Sequence, residues 1–214
     1  MTTAETLAGA LLRAGAVHLR PEDPFTFASG LRSPIYCDNR LLIGDVAARR
    51  AVIPAFAAAC AGAEVVAGTA TAGIPWAAWA AEALALPMAY VRGAAKGHGR
   101  GRQIEGAAVA GRRVALLEDT ISTGESALAA AAALRAEGAE LTGCVCIFTW
   151  GWGATRAAFD AAGLPLLALT TLPSLLAAAA AAGTINAAQR VLIDDWVADP
   201  QGWAARQGFG AASA

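Results

Sequence analysis

From Val65 onward, short apolar runs alternate with longer helix-forming stretches, and no other feature limits the possible fold so tightly. Val65–Ala67, Met88–Val91, 114–117, 141–148 and 165–169 read as strands. Ile74–Leu84, 123–137, 154–162 and 174–182 read as helices, with a last helix over 186–197. Strands separated by helices can pair in parallel, because each helix carries the chain back across one face of the sheet. The expectation is an α/β core, a parallel sheet flanked by helices, with ligands at the carboxyl ends of the strands. Upstream, Thr2-x-x-Glu5 has the form of a capping box for a helix running to about Ala14. Extended pieces follow at 25–27 and 35–37, with the turn formers Ser29 and Gly30 between them, and Asp45 is placed to cap a helix to about Ala61, kinked at Pro54. The first 45 residues break the rhythm, so the chain is divided into an N-terminal helix and hood, 1–45, and a core, 46–214.

The segment Glu118-Asp119-Thr120-Ile121-Ser122-Thr123-Gly124-Glu125-Ser126 joins strand 114–117 to the next helix. Two adjacent acids at the carboxyl end of a strand can face the vicinal hydroxyls of a sugar. Ser122, Thr123, Gly124 and Ser126 are small, so backbone N–H groups at the helix N-terminus stay open to a phosphate. A ribose bearing a 5′-phosphate fits both halves. No Gly-Lys-Ser/Thr follows, and the glycine spacing is not that of a dinucleotide turn. The competing reading is an ordinary strand-to-helix turn whose acids cap the helix.

Net charge is −1, which gives a polyanion nothing to bind, so no nucleic-acid partner is expected. Four cysteines, Cys37, Cys60, Cys144 and Cys146, lack metal-ligand spacing and fit a reduced, cytoplasmic protein. Met1–Leu12 has no basic region followed by an apolar block, so no secretory signal is expected. Residues 164–182 are apolar enough to raise the question of a membrane span. Thr170, Thr171, Pro173 and Ser174 interrupt them, and a strand followed by an alanine-rich helix is expected instead.

Between 92 and 102, Arg92, Lys96, His98, Arg100 and Arg102 are interleaved with glycines and alanines, in a chain with only 16 Lys and Arg. Glycines allow movement and cations call for an anionic target, which points to an arm that closes over a phosphate or diphosphate. The alternative is a solvated surface loop.

Four segments together resemble one family. Strand, acid pair and Thr-Gly turn resemble the phosphoribosyl-diphosphate (PRPP) signature of type I phosphoribosyltransferases. Phe25-Thr26-Phe27-Ala28-Ser29-Gly30-Leu31-Arg32-Ser33-Pro34-Ile35-Tyr36-Cys37-Asp38-Asn39-Arg40 is similar to the amino-terminal signature of the orotate phosphoribosyltransferase family. Gly68-Thr69-Ala70-Thr71-Ala72-Gly73-Ile74-Pro75 resembles its diphosphate-side loop, and Arg92…Lys96-Gly97-His98-Gly99 with Gln103-Ile104-Glu105-Gly106 its catalytic loop.

The resemblance implies a type I phosphoribosyltransferase core with a small N-terminal hood, and transfer of ribose 5-phosphate from PRPP to orotate with Mg²⁺ as cofactor. It assigns catalysis to Arg92, Lys96, His98 and Asp119. PRPP binding falls to those residues with Glu118, Thr120, Ile121, Ser122, Thr123, Gly124, Glu125 and Ser126, and orotate binding to Ser122, Tyr36 and Cys37. The metal is expected to be held by PRPP and water, with no protein ligand assigned. A homodimer sharing the catalytic loop is also implied. The chain has Gly93, Ala28 and Ala72 where some relatives carry lysine, and Glu125 stands where a small residue is usual. A phosphoribosyltransferase for another base and a PRPP-sensing regulator without catalysis are the alternatives. The Ser-Gly-x-x-Ser-Pro segment and the Lys-x-His-Gly loop speak against the first. The retention of Lys96 and His98 and the lack of length for a DNA-binding module speak against the second.

Overall fold

The computed structural model describes residues 2–27, 30–93 and 103–209. In chain order the first part holds α1 (Thr3–Arg13), β1 (Val17–Leu19), β2 (Phe25–Thr26), β3 (Arg32–Ser33), β4 (Ile35–Cys37), α2 (Leu41–Gly44) and α3 (Val46–Ala59). The middle holds β5 (Val65–Thr69), α4 (Gly73–Leu84), β6 (Met88–Val91), β7 (Ile104–Gly106), β8 (Arg113–Ile121) and α5 (Glu125–Ala136). The last part holds β9 (Glu140–Thr149), α6 (Gly153–Ala161), β10 (Leu166–Thr171), α7 (Leu172–Ala181), α8 (Ala187–Ala198) and α9 (Pro200–Arg206).

Six strands form the main sheet in the order β10-β9-β8-β5-β6-β7. Neighbours are parallel except β6 and β7, which run antiparallel at the edge. Strand residues alternate between two buried faces. Val66, Ala115, Leu117, Val145 and Ile147 pack toward α1, α3, α4 and α7, with Leu11, Phe56, Trp76 and Leu175. Val65, Ala67, Val114, Leu116, Cys144 and Cys146 pack toward α5 and α6, with Ala130, Leu134 and Phe159. Burial on both faces explains why these strands read as continuous apolar runs.

Local sequence sets several boundaries. Thr2 and Glu5 exchange both capping-box hydrogen bonds at the start of α1, and Asp45 Oδ1 accepts from Ala48 N at 2.9 Å to begin α3. Pro54 lies inside α3, which continues past it to Ala59. Two expectations change. β8 continues through the acid pair to Ile121, because Thr120 and Ile121 still pair with Phe148 and Thr149 of β9. The sheet is also not wholly parallel: Ile104–Gly106, named in sequence only within the catalytic-loop motif, adds as an antiparallel strand to the edge of β6.

β1 pairs with β4 and β2 with β3, in two small antiparallel sheets beside the main one. Helix α1 packs against α7 and β10, burying Leu7 and Leu11 in the main core. The Trp196 indole Nε1–H, late in the chain, donates to the Arg32 carbonyl at 2.9 Å and so anchors β3.

The chain passes from β5 outward to β6 and β7, then returns to place β8 on the other side of β5. This reversal opens a crevice at the carboxyl ends of β5 and β8, where open α/β sheets receive ligands. Glycine makes the crevice tight. A Cβ on Gly73 would stand 2.5 Å from the Leu117 carbonyl oxygen, and one on Gly68 2.6 Å from the Gly73 oxygen. Without those side chains, the start of α4 closes directly onto the strand that carries the acids.

Candidate active site

A cleft of about 360 Å³ occupies this crevice. Its walls come from three stretches far apart in sequence: Tyr36–Arg40 from the end of β4, Ala70–Ala72 from the β5–α4 turn, and Glu118, Asp119, Thr120, Ser122 and Ser126 from β8 and the start of α5. Of the residues expected from sequence, Tyr36, Cys37, Glu118, Asp119, Thr120, Ser122 and Ser126 meet here.

Glu118 is only 6% exposed. Burial, reinforced by the charge of Asp119, pushes its carboxyl from an ordinary 4.5 up to about 8. Burial also raises Asp119, against the pull of its hydrogen bonds and of Arg40. The pair therefore resists carrying two negative charges. Backbone groups fix both carboxylates: Asp119 N–H donates to Glu118 Oε1 at 3.1 Å, and Thr120 N–H to Asp119 Oδ1 at 2.7 Å.

Asn39 ties the hood side to the acid side. It is 1% exposed, and its Nδ2 donates to the Asp119 carbonyl at 3.2 Å and to Thr120 Oγ1 at 2.9 Å, while its Oδ1 accepts from the Cys37 thiol at 3.3 Å. Burial, with Asp119 and Asp38 nearby, pushes Cys37 up to about 12, so it stays a neutral thiol whose S–H is held by Asn39. Tyr36 is 40% exposed and stands among Phe25, Phe27 and His18, with ring centroids 5.6 Å from Phe25 and 6.4 Å from the other two. It forms a planar apolar wall and is not a buried core aromatic.

The remaining expected residues are distributed differently. Ile121 turns its side chain into the core, as strand alternation requires, and only its backbone is available at the site. Gly124 is buried with φ +85°, and Phe159 fills the position its Cβ would take. Thr123 and Glu125 are exposed and are not among the described residues lining the cleft. Arg92, just past β6, lies outside that lining too. Its N–H donates to the Gln103 carbonyl, its carbonyl accepts from Gln103 Nε2, both at 2.9 Å, and its guanidinium is 3.8 Å from Glu105. Lys96 and His98 lie outside the described residues.

Sequence reading did not single out Asp38, Asn39 or Arg40 as site residues, although the motif containing them was the clearest in the hood. Ala70–Ala72 were likewise part of a motif without an assigned role. The peptide between Ala70 and Thr71 is cis.

Paired carboxylates at a topological switch point, followed at once by a phosphate-sized turn at a helix start, define a sugar-phosphate-binding α/β protein of the phosphoribosyltransferase class. The model of the phosphoribosyl transferase domain matches residues 50–159. An orotate phosphoribosyltransferase from Bacillus caldolyticus is 45% identical over 201 residues, covering 92% of this chain and 97% of the relative. One from Lactiplantibacillus plantarum is 46% identical over 204 residues, covering 94% and 96%. The crystal structure of orotate phosphoribosyltransferase from Aeropyrum pernix superposes with TM-score 0.70 at 30% identity, over 84% of this chain and 99% of that one. The Mycobacterium tuberculosis enzyme in complex with PRPP gives TM-score 0.65 at 27% identity, over 80% and 98%. The chain belongs to the orotate phosphoribosyltransferase family.

Proposed function

We propose that the protein transfers ribose 5-phosphate from PRPP to orotate, giving orotidine 5′-phosphate and diphosphate in the synthesis of pyrimidine nucleotides. The observation that carries this reading is the single cleft in which the acid pair, the phosphate turn and the Tyr36–Arg40 wall converge.

In such a transfer positive charge develops at the anomeric carbon and negative charge on the departing diphosphate, so the protein acts by positioning and electrostatics. Glu118 and Asp119 orient the ribose hydroxyls through strong acceptor oxygens. The turn from Ser122 to Ser126 receives the 5′-phosphate on backbone N–H groups of the first turn of α5. Tyr36 offers a flat face to the base, while Cys37 and Ser122 offer hydrogen-bonding edges. Arg92, Lys96 and His98 neutralise the diphosphate, which assigns the largest loss of turnover to Lys96→Ala.

Mg²⁺ fits the residues present. The cleft offers hard carboxylate and hydroxyl oxygens, and no cluster of three or more acidic, His or Cys side chains among the described residues forms a cage of its own. Bound with PRPP, the ion would supply charge neutralisation at the diphosphate. Glu118 and Asp119 would face it, and a nearby cation would also draw their protons off. Two copies are proposed to share each site through the segment carrying Lys96. Mixing Lys96→Ala with Asp119→Asn protein would then restore activity to a fraction of the sites. A cytoplasmic location is consistent with four free cysteines, and no described helix is long and apolar enough to cross a membrane.

The test follows the ultraviolet absorbance of orotate on mixing protein, orotate, PRPP and Mg²⁺, with uracil and adenine as parallel acceptors. The expected result is loss of the orotate signal that depends on PRPP and metal and is absent with the other bases. PRPP binding without turnover of any base would overturn the proposal in favour of a sensor.

A further inference from the structure

Helix α6 touches the phosphate turn at two points on one of its faces, four residues apart. Thr155, 4% exposed, donates its hydroxyl to the Ser122 carbonyl at 2.6 Å. One helical turn later the Phe159 ring lies where a side chain on Gly124 would begin, 2.5 Å from an ideal Cβ. Thr155 and Phe159 line a separate cavity with Trp150, Trp152 and Arg156, so α6 supports the turn from behind while Ser122 and Ser126 face the cleft.

A trans peptide is planar, with its C=O and N–H pointing in opposite directions. A Ser122 carbonyl drawn toward α6 therefore sends the N–H of Thr123, in the same peptide, toward the other side of the turn, the side on which the cleft lies. If that peptide rotated, a carbonyl oxygen would face the anion in place of a donor. The Thr155 hydroxyl opposes this rotation, since losing its partner would leave a buried polar group unsatisfied.

We infer that Thr155 is a positioning residue for the 5′-phosphate: it never touches substrate, and through the Ser122–Thr123 peptide it keeps the turn in its anion-binding orientation. The inference rests on the proposed PRPP site and names the residue that sets the affinity of its phosphate end. It predicts an effect confined to that end of the substrate, because the acid pair and the diphosphate side make no contact with Thr155 among the hydrogen bonds described.

The experiment compares wild type with Thr155→Val, which keeps the volume and removes the hydroxyl, and Thr155→Ser, which keeps the hydroxyl. Thr155→Ala serves as a second hydroxyl deletion should the valine variant fail to fold. Affinity for ribose 5-phosphate is measured by calorimetry, affinity for diphosphate by inhibition, and KM and kcat for PRPP at saturating orotate. The expected result for loss of the hydroxyl is a rise of roughly tenfold in the ribose 5-phosphate dissociation constant and in the PRPP KM. Diphosphate inhibition should be unchanged, kcat should move by less than about twofold, and serine should restore wild-type values. Equal weakening of ribose 5-phosphate and diphosphate, or wild-type behaviour of both hydroxyl deletions, would overturn the inference. Failure of wild type itself to bind ribose 5-phosphate would instead overturn the site reading beneath it.

Discussion

Glu118→Gln should make the unliganded protein more stable, and only where pH allows Glu118 to ionise. Glu118 is buried beside Asp119, and its carboxyl titrates at about 8 in the fold against an ordinary value of 4.5. A raised carboxyl binds its proton more tightly folded than unfolded, so ionisation opposes folding. Below pH 4.5 both states are protonated and the penalty vanishes. It grows through the window from 4.5 to 8 and is constant above. At about 1.4 kcal/mol per pH unit, the penalty reaches about 3 kcal/mol at pH 7 and on the order of 5 kcal/mol above pH 8. Glutamine keeps the shape and the Oε1 acceptor that receives the Asp119 N–H at 3.1 Å, and carries no charge. At roughly 2–4 °C per kcal/mol for a chain of this size, the variant should melt roughly 6–12 °C above wild type at pH 7. Thermal unfolding followed by circular dichroism at pH 5, 7 and 8.5 checks this. A gain that is absent at pH 8.5, or as large at pH 5 as at 8.5, would refute the reasoning, since the second pattern would reflect packing and not titration. The same variant should bind PRPP more weakly, as expected where a site keeps charge at the expense of stability.

Three other outcomes follow from the same geometry. Asn39→Ala strips the amide donor from the Asp119 carbonyl and Thr120 Oγ1, and should lower stability by about 1–3 kcal/mol while raising the PRPP KM, measured by urea unfolding and steady-state kinetics. Cys37, with its thiol pushed from 9.0 to about 12, should hold about a thousandfold less thiolate at neutral pH than an ordinary cysteine. Its alkylation by iodoacetamide, followed by mass spectrometry, should accordingly be slow at pH 7.5 and accelerate only toward strongly alkaline pH. Gly124→Ala forces a Cβ against Phe159 at φ +85° and should cost about 1–3 kcal/mol in thermal unfolding, together with a loss of PRPP affinity.

What could be read in the sequence was what local pattern controls. The Thr2–Glu5 box, the Asp45 cap and the apolar runs at 65–67, 88–91 and 141–148 each announce an element whose cause lies within a few residues. The acid pair and the small-residue turn were legible for the same reason. Less could be read where a partner strand decides. The end of β8 is polar and reads as loop, yet pairing with β9 holds it extended to Ile121, which turns that side chain into the core and away from any ligand. β7 has three residues and exists because β6 offers it an edge. Least legible were the ties that shape the cleft. Asn39 meets Asp119 across 80 positions and Thr155 meets Ser122 across 33, and neither pair leaves a mark on the residues around it.

Those long ties also constrain the order in which a ribosome can deliver a working enzyme. At roughly 5–20 residues per second, Asn39 emerges on the order of 4–16 s before the strand end it must hold, 80 residues later. The wait for Trp196, whose indole anchors Arg32 across 164 positions, is about twice as long. Until then β3 lacks that anchor, and α1, which meets α3 early, waits for β10 and α7 to complete the cover of its apolar face. The nascent chain thus carries a partly covered Leu7–Leu11 stripe until β10 and α7 emerge, a natural target for a chaperone that binds apolar segments, whereas the described residues lining the cleft, Tyr36 to Ser126, are all made before β9 begins.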